Sequence, residues 1–245
     1  MNTEHNISDR YEISDDFILI QKNAVPEKVA EQWVEYTKSL AGEDGDYMTF
    51  LNSFKMDFMQ SLGAEGTQPI AGSDRSNMER VRRADDVDFP LSASLGMQYP
   101  QMISQICALL QTAFMYYVRR WPYLTTHGEF SVPWLKYHIV KPEGGYHAIH
   151  SEWSTDRPDF NRILVWHLAL TTHQDQGELE FVYQRKRIQA RAGQLVMWPA
   201  YFTHAHRGNI LREGEKHYIT GWFYIDPAGQ MRRGPDHEIH PMSAF

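Results

Sequence analysis

Beyond Phe130 the apolar residues stop recurring every three or four positions and begin to alternate, and this change of period constrains the fold most. Leu135, Tyr137 and Ile139 alternate with Lys136 and His138, the pattern of a strand with one buried face. Ile163 to Leu170 is almost wholly apolar, as a strand covered on both faces would be. Turn signals at Gln176-Gly177 and Ala192-Gly193 separate further strands at Leu179–Tyr183, Arg187–Ala190 and Leu195–Trp198. His217 to Ile225 reads as the last strand. Many short strands with turn punctuation indicate an antiparallel sandwich or barrel, and no internal repeat is visible.

The first half has the other period. Residues 1–16 are polar and expected to fray. Phe17 to Ile20 suits a short strand, and Pro26 sits well in the first turn of a helix carrying Val29, Trp33, Tyr36 and Leu40, with Gly42 beyond its end. Tyr47, Phe50, Leu51, Phe54, Phe58 and Leu62 predict a second helix between Asp46 and Gly63, its aromatic stripe read as core packing. Residues 63–97 mix charges without periodicity, as a solvated loop does; the functional alternative is a lid over an active site. Met102, Ile103, Ile106, Leu109, Leu110, Ala113 and Tyr117 predict a third helix ending at Arg119-Arg120-Trp121, before Pro122. The expectation is one domain over 1–245. It has helical support with the lid over 1–125, a β core over 126–226, and a tail over 227–245 lying on the surface.

Composition limits the function classes. Hydrophobic residues at 42% and charged residues at 22% suit an ordinary globular protein. A formal net charge of −7 argues against a nucleic-acid scaffold, because no overall positive field gathers phosphates. One cysteine, Cys107, cannot form an intramolecular disulfide and fits a reducing cytoplasm. The sequence shows neither an apolar run long enough to cross a bilayer nor a signal-peptide pattern, so no membrane partner is expected.

Two short pieces carry chemistry: Gly145 to Trp153, reading Gly-Tyr-His-Ala-Ile-His-Ser-Glu-Trp, and Trp198 to Asn209, reading Trp-Pro-Ala-Tyr-Phe-Thr-His-Ala-His-Arg-Gly-Asn. In an extended strand, residues two apart share a face, so His150 and Glu152 can reach one metal ion together. Roughly one or two His-x-acid pairs are expected by chance among 12 histidines and 31 acids, which makes the spacing weak evidence alone. The rival pairs are His127/Glu129 and His173/Asp175, each read as a turn or solvated surface. A later histidine, His204, would complete two imidazoles and a carboxylate on one face of an octahedron. That set, with the other positions open, suits non-haem Fe(II).

The context of that pair resembles the Fe(II)/2-oxoglutarate-dependent dioxygenases, in particular their prolyl 4-hydroxylase-like branch. The resemblance runs in order through the Gly-Tyr-His-x-x-His-x-Glu segment at 145–152, Arg162 opening a strand and Gly177-Glu178-Leu179-Glu180-Phe181. It continues through Ala192 to Pro199, the distal histidine, Gly214-Glu215-Lys216 and Ile219-Thr220-Gly221-Trp222. It implies a double-stranded β-helix, or jelly roll, supported by the N-terminal helices. It also implies Fe(II), with 2-oxoglutarate and O2 as cosubstrates. The run from Pro199 fits the family spacing for His204 as distal ligand, with His206, two residues on, as its rival. Lys216 falls on the family's basic position for the far carboxylate of 2-oxoglutarate, and Tyr137 and Tyr146 are the candidates for the tyrosine that touches this cosubstrate. His147 is expected beside the site, Trp166 and Trp222 in its walls or the core, and His138, His167 and His217 in structural roles.

Departures from the family pattern are the glutamate where aspartate is commoner and Leu168-Ala169-Leu170 where Tyr-Leu-Asn is usual. The implied reaction is hydroxylation of a C–H bond, prolyl hydroxylation first, in a peptide, protein or small-molecule substrate. The alternative class is a non-enzymatic jelly-roll binding protein, with a structural metal or none; a structural site would be closed and would have no use for a lysine aimed at an open position.

Overall fold

The computed structural model describes residues 11–40, 87–90, 100–132, 135–153 and 161–226. Buried positions 30, 33, 34 and 37 form one face of helix α1, Glu27–Leu40, and Pro26 starts it by accepting backbone bonds from Val29 and Ala30. Helix α2, Pro100–Arg120, buries Met102, Ile106, Leu110, Ala113 and Tyr117 by the same rule. The expected helix over residues 47–62, most of the candidate lid and the tail beyond Asp226 lie outside the described residues.

Against these helices lies one large antiparallel sheet. Its strands are β1 (Tyr11–Ile13), β2 (Leu19–Gln21), β3 (Val87–Pro90), β4 (Glu129–Ser131), β5 (Leu135–Val140), β6 (Asn161–Ala169), β9 (Leu195–Pro199) and β11 (Lys216–Asp226). Their order is β1-β2-β9-β6-β11-β5-β3, with β4 also paired to β11. Tyr11–Ile13 thus pairs as a strand, where a frayed end was expected from its polar setting. A smaller sheet runs β10 (His206–Gly208), β7 (Leu179–Phe181), β8 (Lys186–Ile188). Helices, large sheet and small sheet make three layers, and the expected jelly-roll core is present as two facing antiparallel sheets.

Strand alternation sorts the side chains into two cores. On β11, Ile219, Phe223 and Ile225 pack toward the helices, where Phe114 stacks on Phe223 at 4.8 Å between ring centroids. Trp222 and Tyr224 turn the other way and meet Val165, Trp198, Leu179 and Phe181 between the sheets. Register along β6 and β11 is regular from Tyr218↔Ala169 to Phe223↔Leu164, then shifts so that Tyr224 faces Arg162. Ile163 is the extra residue of this β-bulge. In the turn that leads into β9, Gly193 (φ +79°) accepts a 3.1 Å backbone hydrogen bond from Val25, so close that a Cβ there would lie 2.0 Å from the Val25 oxygen.

Candidate metal centre

His150 and His206 form an isolated two-bond bridge, N to O at 3.0 and 2.8 Å, which ties the segment after β5 to the first residue of β10. This brings three side chains together. Ligand atoms of His150, Glu152 and His206 all lie within 4.8 Å of one another, with Glu152 Oε1 at 3.4 Å from His150 Nε2 and 3.7 Å from His206 Nε2. Burial would raise the Glu152 carboxyl, but hydrogen bonds and charge from His150 and His206 outweigh it and hold the group well below the ordinary carboxylate range.

The backbone fixes the orientation of both rings. His150 Nδ1 lies 2.9 Å from the Ala148 carbonyl, and His206 Nδ1 lies 2.9 Å from the His204 carbonyl. A carbonyl only accepts, so both Nδ1 atoms carry a proton and both Nε2 atoms face one place, where they donate to Glu152 or, to a cation that displaces those protons, offer their lone pairs. Two imidazole lone pairs and a carboxylate oxygen fit a divalent transition metal.

His204, the expected distal ligand, is not in this cluster. The two-residue rule presupposes extended backbone, but Phe202–His204 is a 3-10 turn and only His206 lies in a strand. His204 Nε2 donates to the Asp16 carbonyl at 2.7 Å, and its Nδ1 lies 3.0 Å from the Thr203 hydroxyl. Burial, chiefly, keeps the ring below the ordinary histidine range, and its two nitrogens are engaged by the Asp16 carbonyl and the Thr203 hydroxyl, away from the cluster. The cluster therefore holds His206 where His204 was expected.

A cavity of about 190 Å³ opens beside the cluster, walled by Val165, Leu179, Trp198 and Trp222. Lys216 and Tyr146 both line it; the Tyr146 ring lies 5.6 Å from His150. Lys216 is buried, donates to the Gly177 carbonyl at 2.7 Å and sits 5.2 Å over the Tyr218 ring. Tyr218 stacks between His138 at 4.4 Å and His167 at 4.5 Å, so these histidines also line the cavity. Burial first, then the Lys216 charge, holds His167 well below its ordinary range and neutral. The Trp198 indole nitrogen is buried with no hydrogen-bond partner among the described residues.

Tyr137 is the second correction. On β5 it faces the helices with Leu135 and Ile139, while Lys136, His138 and Val140 face the cavity; its hydroxyl meets His217 Nδ1 at 2.9 Å. The rival pair His173/Asp175 contributes to no metal-ligating group among the described residues: His173 is buried on the Thr171 hydroxyl, and Asp175 is exposed; the His127 side chain lies outside the described residues. Trp166 is wholly core, and His147 bonds the Gly208 carbonyl beside the site. The contacts of Arg162 and Trp222 have no signal in the sequence. Both reach the outer oxygen of Glu152, and only the bulge, invisible in the sequence, brings the arginine there.

Residues 134–224 match the family model of the 2OG-Fe(II) oxygenase superfamily. No curated protein matches significantly. Among solved structures, the viral collagen prolyl hydroxylase of Paramecium Bursaria Chlorella virus-1 aligns with TM-score 0.54 at 11% identity, covering 86% of this chain and 98% of its own. A Pseudomonas putida prolyl-4-hydroxylase aligns at 0.52 and 16%, covering 86% and 94%. A Trichoplax adhaerens prolyl hydroxylase, solved with a peptide fragment of hypoxia inducible factor, aligns at 0.54 and 12%, covering 96% and 98%. No helix among the described residues is long and apolar enough to cross a membrane.

Proposed function

We propose that this chain is a 2-oxoglutarate-dependent dioxygenase that hydroxylates prolyl residues of a peptide, a reading supported by the match of residues 134–224 to the family model of the 2OG-Fe(II) oxygenase superfamily. His150, Glu152 and His206 would hold Fe(II). The observation that carries the reading is the pair of matched rings: two backbone carbonyls turn two imidazole Nε2 atoms toward one carboxylate oxygen beside a cavity that also contains a buried lysine.

Fe(II), bound with 2-oxoglutarate, supplies the O2-dependent hydroxylation of a C–H bond, with succinate and CO2 as coproducts. The chain supplies positioning. Lys216, desolvated, offers a charge-assisted pair to a dicarboxylate and selects for a second carboxyl group. Val165, Leu179 and Trp198 keep water from that end. Exposed Trp153, next to Glu152, comes within 6.5 Å of the Tyr201 ring, and Phe202 beside it is also exposed. These aromatic faces suit an extended peptide better than a small polar molecule, and the peptide held by the Trichoplax neighbour supports the same class.

The test is mass spectrometry of proline-rich peptides incubated with the protein, Fe(II), 2-oxoglutarate and air. The expected result is a gain of one oxygen atom on proline with stoichiometric succinate, both lost in His150→Ala. Succinate formation with oxygen on another residue would overturn the prolyl assignment alone. No 2-oxoglutarate turnover with any substrate, in protein shown to bind Fe(II), would overturn the enzyme.

A further inference from the structure

The two oxygens of the Glu152 carboxylate have separate employment. Oε1 faces His150 and His206. Oε2 accepts a 3.0 Å hydrogen bond from the Trp222 indole N–H, and Arg162 Nη1 lies 3.4 Å from the same oxygen and 3.3 Å from the Glu152 carbonyl. The two donors support each other: the guanidinium lies 4.1 Å over the Trp222 ring, and its Nε–H donates to the Tyr224 hydroxyl at 3.2 Å.

We propose that Trp222 and Arg162 are positioning residues that hold Glu152 to a single metal-facing oxygen. A glutamate has one more rotatable bond than an aspartate and can swing both oxygens onto a cation. Two-oxygen binding would occupy one of the positions that an oxygenase leaves for cosubstrate and O2. Hydrogen bonds on Oε2 prevent that swing, and the bulge at Ile163 delivers the arginine that makes one of them. Ligand orientation by such outer partners is a general property of metal sites. Here it answers a particular question, namely how the longer acid serves where a shorter one is commoner. This inference rests on the metal centre proposed above.

The test uses the full chain, titrated anaerobically with Co(II) as a spectroscopic stand-in, comparing wild type, Trp222→Phe and Arg162→Gln. Trp222→Phe keeps a ring under the guanidinium and removes only the donor. Each variant is expected to bind Co(II) about tenfold more weakly. Each should also have an altered visible spectrum that responds less to added 2-oxoglutarate. In a Glu152→Asp background, whose carboxylate is too short to reach both partners, Trp222→Phe is expected to add no further loss. Wild-type affinity and spectrum in folded Trp222→Phe and Arg162→Gln would overturn the proposal, as would additive losses in the Asp background. If one variant does not fold, the other decides. Failure of the underlying metal centre reads differently: Co(II) binding in wild type would then survive His150→Ala and His206→Ala.

Discussion

His204 and His206, two residues apart, carry their protons on opposite ring nitrogens. His204 gives its Nε2 proton to the Asp16 carbonyl, and its own carbonyl accepts the Nδ1 proton of His206. One histidine thus orients the next, and the two should respond differently to replacement. His206→Ala is expected to abolish metal binding with little change in fold. His204→Ala should keep a measurable metal site and lose about 1 kcal/mol of stability, because the part-buried Asp16 carbonyl loses its donor. Calorimetric metal titration beside urea denaturation separates these outcomes.

Lys216→Ala should act on the cosubstrate alone. Removing a buried charge-assisted partner costs roughly tenfold to a hundredfold in 2-oxoglutarate affinity, while Co(II) affinity stays near wild type. Loss of the metal instead would mean that Lys216 supports the ligands.

Gly193→Ala tests the turn into β9. Its Cβ would have to enter space held by the Val25 oxygen, in a backbone conformation that already disfavours side chains. A loss of at least about 2 kcal/mol is expected, read as a lower urea midpoint. Gly208→Ala, with ordinary contacts only, should cost much less.

Stability should fall on acidification, in part through His217. Burial pulls this side chain from an ordinary value of 6.5 down to about 4, and its ring is held by Tyr137 and Glu215. The folded state therefore favours the neutral ring. Its contribution is complete above pH 6.5 and is lost as pH falls toward 4, where the unfolded chain takes up a proton that the folded one refuses. The expected loss is about 2 kcal/mol at pH 5 relative to pH 7. His217→Gln should remove that share of the slope in urea midpoints measured across this range.

Helices α1 and α2 and strands such as β5 were legible because burial follows period. Positions 30, 33, 34 and 37 repeat as a helix must, and Leu135 to Val140 alternates as a strand must. His150 and Glu152 were legible because their neighbours in the chain form a recognisable context. The distal histidine was not, since a three-residue 3-10 turn resets which side each residue faces. Tyr137 illustrates a different failure. The alternation of β5 already assigned it to the apolar face with Leu135 and Ile139, yet it was kept as a candidate for a polar cavity. The support given to Glu152 by Trp222 depends on pairing between distant strands, which no local pattern records.

The extra residue in β6 has an effect on folding as well. Had the ladder continued unbroken, Ile163 would face Tyr224 and Arg162 would point under helix α2, among Phe114, Phe130 and Phe223. A guanidinium has no counter-ion among those rings and would pay the full desolvation penalty there. A ladder without the bulge is therefore disfavoured: the cation that steadies the acid also penalises the wrong alignment of the two longest strands.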